Sequence, residues 1–243
     1  MKSGSPFFAS VPFSKAKGIL FDIDGTLYYQ MPVRLIMILL FVIENISKPN
    51  QLKKKAQIIV AYRNAMETLR KSDISNINQI DMTVKNTGAT SKYVSNVVKE
   101  WFETKPLPFL KLFRRKGMVR VLDTLCKKGF KLGVFSDYPA HDKLKALNVS
   151  DYFSVAVSAS DSEISGFKPN TTGFHVSARE MGLKCSEIVY VGDRPEVDGI
   201  GALSAGIPVI ILNSFWKSKN ASDFPSVSSF HKLLEILLCP PMN

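Results

Sequence analysis

Apolar residues in this chain gather in short unbroken runs separated by longer mixed stretches. Gly18-Ile19-Leu20-Phe21 is such a run and ends abruptly in Asp22. Continuous apolarity without alternation suits a strand buried on both faces of a parallel sheet. Phe130 to Phe135, Ile188 to Val191 and Ile207 to Leu212 repeat the pattern, with Val155-Ala156-Val157 as a fifth, shorter candidate. Met118 to Lys128, Thr171 to Met181 and Val197 to Ala205 precede the three longer runs and have the length and spacing of helices. Strands alternating with helices of about a dozen residues predict an α/β fold, a doubly wound, mostly parallel Rossmann-like sheet. Active sites of such sheets gather at the carboxyl ends of the strands.

Residues 31–115 break this alternation, with no convincing strand and several helical stretches: Val33 to Ile46, Gln51 to Lys71, and Ser91 to Glu103 opened by Thr90 or Ser91 as N-cap. Asn86-Thr87-Gly88 and Lys105-Pro106-Leu107-Pro108 supply the breaks. The expected organisation is a Rossmann-like core from residues 1–30 and 116–243 with an inserted all-helical cap, 31–115. Leu35 to Ile43 is apolar all round a helix, which predicts burial among the cap helices, the leading expectation, or a cover over something apolar. At nine residues it falls far short of the roughly 20 that span a bilayer. The Ser/Asp-rich segment Ser158 to Ser165 reads as a loop.

Composition narrows the class. With 243 residues, 45% hydrophobic and 22% charged, the chain is neither a disordered tail nor a collagen-like repeat, and three cysteines do not make a disulfide scaffold. Cys126, Cys185 and Cys239 have no metal spacing. The apolar pieces between Met1 and Lys17 are too interrupted for a signal peptide, so that stretch reads as a lead-in arm and the expected location is cytoplasmic. Charge is more informative by segment than in total. Residues 31–120 hold 17 Lys+Arg against 6 Asp+Glu, and the remainder holds 15 of each, so the whole net charge of +11 sits in one internal block. Such a block faces an anionic partner or is a solvated, lysine-rich set of helices.

Four constellations carry candidate chemistry. Phe21-Asp22-Ile23-Asp24-Gly25-Thr26-Leu27 follows the first strand, and alternation in an extended segment puts Asp22 and Asp24 on one side while Gly25 lets the chain turn away. One carboxylate of such a pair can attack phosphorus and the other can pass a proton to the leaving oxygen; the plain alternative is an Asx-rich turn. Val134-Phe135-Ser136-Asp137 ends a strand in a hydroxyl that can donate to a phosphoryl oxygen or serve only as a turn residue. Gly166-Phe167-Lys168-Pro169 holds a lysine before a helix, to neutralise phosphate charge or simply to be solvated. In Val191-Gly192-Asp193-Arg194-Pro195-Glu196-Val197-Asp198, two acids five positions apart follow a strand. Hard carboxylate oxygens here and in the first motif suit Mg²⁺, although acids at a helix start also complement its dipole.

Taken in order, Asp-x-Asp-Gly-Thr, Ser after a strand, Lys before a helix, and Gly-Asp-x4-Asp followed by Ala202 and Ala205-Gly206-Ile207-Pro208 resemble the haloacid dehalogenase-like (HAD) hydrolase superfamily. The likeness covers the sheet domain, about residues 17–30 and 116–212, and the helical insertion looks like the C1 type of cap. The resemblance implies Asp22 as nucleophile and Asp24 as general acid, then base. It implies Ser136 and Lys168 as holders of the phosphoryl group, with Thr26 beside them. A Mg²⁺ cofactor would be held by Asp22, the main-chain carbonyl of Asp24 and Asp193. Asp198 would support the metal or orient Lys168.

An acid two positions after the nucleophile points, within that family, to phosphate-ester hydrolysis or phosphomutase action rather than dehalogenation. Asp137 departs from the Asn common there, an unfavourable charge unless it turns away or meets a cation. Tyr28, Tyr29 and Gln30 lie where the family's flap begins, facing the leaving group or forming a hinge. The leading expectation is thus a Mg²⁺-dependent phosphatase acting on a small phosphorylated metabolite through an aspartyl-phosphate. The alternative is a membrane-peripheral or nucleic-acid-binding protein acting through its basic cap on a lipid or prenyl phosphate. The short apolar run and the lack of an aromatic-interleaved basic patch weigh against it.

Overall fold

The computed structural model describes residues 13–71, 78–164, 166–213 and 224–238. Cys239 and most of the N-terminal arm lie outside them. The chain divides into two compact units, one of Met1–Tyr29 with Arg114–Asn243 and the other of Gln30–Phe113. On these bounds the helical unit holds 13 Lys+Arg and 6 Asp+Glu, and the sheet unit 19 and 15. Four of the basic residues counted with the insertion, Arg114, Arg115, Lys116 and Arg120, therefore belong to the sheet unit.

Along the chain, β1 (Gly18–Phe21) is buried at all four positions. A side chain at Gly18 would sit 2.5 Å from Leu183 and 2.7 Å from Met181, so the strand is pressed from its covering face. The helical unit follows, with α1 (Gln30–Asn45), α2 (Pro49–Lys71), α3 (Gln79–Thr87), α4 (Ser91–Val98), a π-helical segment Lys99–Thr104 that continues α4, and the one-turn α5 (Leu107–Leu110). Thr90 caps α4 by accepting the Tyr93 N–H. Gly88, at φ +66°, ends α3 in the left-handed conformation. Helix α3 is invisible to hydrophobic periodicity because its buried residues are polar. Gln79 Nε2 donates to Tyr62 O at 2.7 Å, and Thr83 Oγ1 donates to Gln79 O at 2.7 Å. Tyr62 meets Phe102 edge-on at 5.0 Å and Phe41 meets Trp101 at 4.9 Å, while Lys105 lies 4.1 Å over the Trp101 ring and pairs with Glu44 and Glu100. Part of the basic charge is thus neutralised within the unit.

The expectation that Leu35 to Ile43 is buried is overturned. Leu35, Ile38, Leu39, Val42 and Ile43 are all exposed, and only Val33 and Asn45 of α1 are buried. Within the unit α1 packs on α2 and lays Phe41 on Trp101, which covers one side of a helix that is apolar on all of them.

The sheet unit continues with α6 (Met118–Lys127), β2 (Lys131–Ser136), α7 (His141–Ala146), β3 (Val155–Ser158), α8 (Thr172–Met181), β4 (Ile188–Gly192), a π-helical turn Pro195–Gly199 leading into α9 (Ile200–Ser204), β5 (Val209–Leu212), β6 (Ser226–Val227) and α10 (Phe230–Leu238). Every strand pairing is parallel, in the order β3-β2-β1-β4-β5-β6, so the fold is a doubly wound α/β sheet. The predicted strand from Ile207 begins at Val209, after Pro208, which lacks a ladder N–H. Ser158 opens a turn, closed by Asp161 accepting both its N–H and its hydroxyl. On one face of the sheet Phe174 meets Phe135 and Tyr190 edge-on, each at 5.0 Å, within a cluster that includes Leu20, Met181 and Ile211. Burial of such side chains contributes about 1.5–3 kcal/mol each. The winding reverses between β1 and β4, and a crevice opens there at the carboxyl ends of the strands.

Candidate active site

Three strand ends and one helix lead-in converge at that crevice. Asp22 leaves β1 with its N–H still donating to Val191 O of β4 at 2.9 Å, which fixes its place beside the β4 exit. The chain then turns through Thr26 N–H and Leu27 N–H, both donating to Ile23 O. Gly25, at φ +93°, occupies the left-handed region that glycine tolerates, and a Cβ there would lie 2.2 Å from Asp193 Oδ2. Two separate loops thus close on one another only because position 25 has no side chain. Gly192 does the same for Asp198, whose Cγ would lie 2.4 Å from a Cβ.

Lys168 is 1% exposed and donates from Nζ to Asp22 Oδ1 at 2.6 Å, Asp198 Oδ1 at 2.7 Å and Tyr190 Oη at 2.9 Å. All three donor positions of its ammonium are engaged. Asp198 is itself fully occupied. Its Oδ1 accepts from Lys168 and, at 3.0 Å, from Tyr190 Oη, and its Oδ2 accepts the N–H groups of Asp193 and Arg194 at 3.1 and 3.0 Å. That pattern makes Asp198 an anchor for both the lysine and the loop carrying Asp193. Ser136, at the end of β2, is wholly buried and accepts the Tyr138 N–H at 3.3 Å, which leaves its O–H as its donor function. Asp137 turns to accept the backbone N–H of Lys168 at 3.0 Å, so the charge that departs from the family pattern fastens the lysine's loop.

Ligand oxygens of Asp22, Asp193 and Asp198 all lie within 4.8 Å of one another, a group able to hold a metal ion. Asp193 Oδ1 and Thr26 Oγ1 are buried without a hydrogen-bond partner. Buried polar atoms left in that state cost about 1–3 kcal/mol, so each orphan marks a place built for something else. A carboxylate oxygen beside two further carboxylates suits a hard divalent cation, and a lone hydroxyl on the turn after β1 suits an added acceptor oxygen. The Asp24 carboxylate stands apart from this cluster: Tyr28 Oη and Lys143 Nζ donate to its two oxygens.

Electrostatics separate the acids. Burial, reinforced by Asp198, Asp193 and Asp24, pushes Asp22 well above the usual carboxylate range although Lys168 opposes it. Burial and Asp198 raise Asp193 to about 7 against Arg115, Lys168 and Arg194. Burial also pushes up on Asp24, but the charge and hydrogen bond of Lys143, with that of Tyr28, outweigh it and hold Asp24 low. Asp198 is likewise held low, its burial outweighed by Lys168. Burial works against the Lys168 ammonium, yet Asp198 and Asp22 keep it firmly protonated.

Four residues take places at the site that the sequence reading did not assign to them. Lys143 resembles the other lysines of a solvated helix in sequence, yet its side chain is 7% exposed. Tyr190 reads as one more apolar strand residue. Arg115 sits in the basic run Arg114-Arg115-Lys116, but its guanidinium is buried, donating from Nε and Nη2 to Gly25 O at 3.0 and 2.6 Å and from Nη1 to Asn213 O at 3.0 Å. Tyr28 is legible by position only. It is 3% exposed and bridged by backbone pairing to both Asp24 and Arg114, whereas Tyr29 is exposed under the Arg115 guanidinium at 5.1 Å.

A parallel sheet with carboxylates, a buried lysine and a buried hydroxyl at its switch point is the framework of a phosphoryl-transfer hydrolase. The chain belongs to the haloacid dehalogenase-like hydrolase family, which matches residues 19–212. It is 29% identical to a glyceraldehyde 3-phosphate phosphatase of Methanopyrus kandleri over 80% of this chain and 82% of that one. It is 28% identical to a protein of the same name from Methanocaldococcus jannaschii, over 91% and 96%. Among solved structures, a putative HAD-hydrolase of Bacillus subtilis bound to magnesium superposes with TM-score 0.65 at 18% identity, covering 92% of this chain and 99% of that one. A HAD phosphatase of Thermococcus onnurineus gives 0.63 at 21%, covering 93% and 100%. These likenesses show the fold. Among the described residues no helix is long and apolar enough to cross a membrane.

Proposed function

We propose that this protein is a Mg²⁺-dependent phosphatase of small phosphomonoesters, working through a phosphoryl group carried on Asp22. The observation that carries this reading is the division of labour between two acids two residues apart: Asp22 faces Lys168 and the carboxylate cluster, while Asp24 faces Lys143 and Tyr28. An oxygen of Asp22 attacks phosphorus, and the bond from phosphorus to the ester oxygen breaks as Asp24, protonated in the substrate complex against the pull of Lys143, supplies the departing alcohol with a proton. Asp24 then takes a proton from water, whose oxygen attacks phosphorus and releases Asp22 and inorganic phosphate. Ser136 O–H and Thr26 O–H donate to the phosphoryl oxygens, where preorganised donors are worth most, while the Lys168 ammonium, held on Asp22, balances the charge of the phosphoryl group carried there. Asp22 and Asp193 would hold Mg²⁺ with the Asp24 main-chain carbonyl, Asp198 bracing the loop, and the ion would supply charge neutralisation at the phosphoryl group.

Glyceraldehyde 3-phosphate and other triose phosphates head the substrate list, in keeping with the names of the two archaeal relatives. The test is phosphate release with Mg²⁺ from a panel of triose, sugar, nucleotide, glycolate and prenyl phosphates. Release from a small phosphomonoester, lost in Asp22→Asn, supports the reading. Conversion to an isomer without free phosphate would assign a mutase, and no turnover of any compound would overturn both.

A further inference from the structure

Both oxygens of the Asp24 carboxylate are held. Tyr28 Oη donates to Oδ1, and Lys143 Nζ donates to Oδ2 at 2.5 Å. The two donors come from opposite directions in sequence. Tyr28 is on the turn just after Asp24, kept there by backbone pairing to Asp24 and Arg114. Lys143 is on α7, 119 positions away, with its ammonium 5.1 Å over the Tyr138 ring. Around it Ala140, Leu144 and Leu147 are buried, so the lysine interrupts an otherwise apolar packing face. A buried ion pair rarely adds net stability over an apolar pair of the same volume. What it does add is direction. The backbone fixes where Asp24 begins, yet its side chain turns freely about two bonds, and a proton donor misplaced by about 1 Å loses on the order of a hundredfold in rate.

We propose that Lys143, assisted by Tyr28, is a positioning residue for Asp24, holding its carboxyl on the side of the leaving oxygen. Nothing in this role touches the nucleophile, which has its own lysine, Lys168. The assignment rests on the reading of Asp22 as nucleophile and Asp24 as acid and base. It predicts a defect confined to steps in which Asp24 moves a proton.

Leaving-group chemistry isolates that step. Nitrophenolate departs without a proton, whereas the alkoxide of glycerol phosphate needs one. Rapid-quench kinetics with Mg²⁺ would follow the first turnover of p-nitrophenyl phosphate and of glycerol phosphate by wild type, Lys143→Met, Lys143→Arg and Tyr28→Phe. In Lys143→Met the first turnover of glycerol phosphate should slow by about a hundredfold, while the nitrophenolate burst slows by no more than about threefold. Lys143→Arg should recover part of the loss, and Tyr28→Phe should show the same selectivity at about tenfold. The amplitude of the nitrophenolate burst counts competent sites, so a variant that folds less completely shrinks the amplitude without altering the ratio of the two rates. Equal slowing of both substrates, or of neither, would overturn the positioning role. Wild type that turns over neither substrate would overturn instead the phosphatase reading beneath it.

Discussion

Lys168 brings its ammonium to 2.6 Å from Asp22 Oδ1 while both groups are shut from solvent, with side chains 2% and 7% exposed. Asp198 completes the arrangement from the lysine's other side at 2.7 Å. One buried cation thus balances a cluster of acids gathered from β1 and the loop after β4. Removing a partner from such a group leaves charge buried and unpaired, at a cost of about 3–5 kcal/mol. Lys168→Met should lower metal-free stability in urea by about that amount at neutral pH, and phosphate release by at least about a hundredfold. Unchanged stability would mean that the acids find protons instead of needing the lysine.

Metal binding should depend on pH with a defined sign. Asp193 stands at about 7 in the metal-free fold, against about 3.9 for an ordinary aspartate. Between those values the native state holds a proton that the unfolded chain has lost, so this group's contribution to metal-free stability falls as pH rises through that window. Asp22, also raised, acts in the same direction. Asp24 and Asp198, held low, act oppositely: their contribution is present above the ordinary aspartate range and is lost on acidification. On the proposed assignment of Asp193 as a ligand, Mg²⁺ displaces its proton, and the dissociation constant should fall by up to about tenfold per pH unit below about 7 and change less above it. Calorimetric titrations between about pH 5.5 and 8 would check this, and a flat profile would contradict it.

Gly25→Ala probes the closure of the two loops. Its Cβ would meet Asp193 Oδ2 at 2.2 Å, from a backbone at φ +93° that costs a residue with a side chain about 1–2 kcal/mol. The variant should fold, judged by far-ultraviolet circular dichroism, yet bind Mg²⁺ at least about tenfold more weakly, because on the proposed assignment the displaced carboxylate is a ligand. Wild-type Mg²⁺ affinity would separate Asp193 from the metal.

Much of the sheet was readable because a strand buried on both faces must be apolar throughout, and β1, β4 and β5 are. The motif residues were readable because strand ends in a parallel sheet all open on one crevice, so order along the chain becomes proximity in space. Lys143 and Arg115 escaped because nothing in a basic residue's neighbours tells whether its head group reaches water. Both are buried only through partners contributed by distant segments, Asp24 in one case and Gly25 O with Asn213 O in the other. Helix α3 escaped for the converse reason, since Gln79 and Thr83 bury polar groups that hydrogen bonds satisfy. The exposure of α1 shows the limit of reading an apolar stretch as core: apolarity on every side exceeds what the neighbouring helices of a small unit can cover.

Arg115 ties the catalytic turn to the end of β5. Arg115→Met would leave the buried Gly25 O and the part-buried Asn213 O without this donor, a cost of about 1–3 kcal/mol at the first and less at the second. Urea unfolding should show a loss of about 2–4 kcal/mol. Activity should fall further than stability alone explains, since Gly25 lies between Asp24 and Thr26, the proposed acid and the proposed phosphoryl-binding hydroxyl. A variant matching wild type in both would make Arg115 a bystander.

In the proposed mechanism, phosphate passes through a bond to Asp22. Acid quenching of wild-type protein during turnover of p-nitrophenyl phosphate, followed by mass spectrometry of the peptide containing Asp22, should find a phosphoryl adduct on that side chain, absent from Asp22→Asn. An adduct on another residue, or phosphate release by Asp22→Asn at the wild-type rate, would contradict the account.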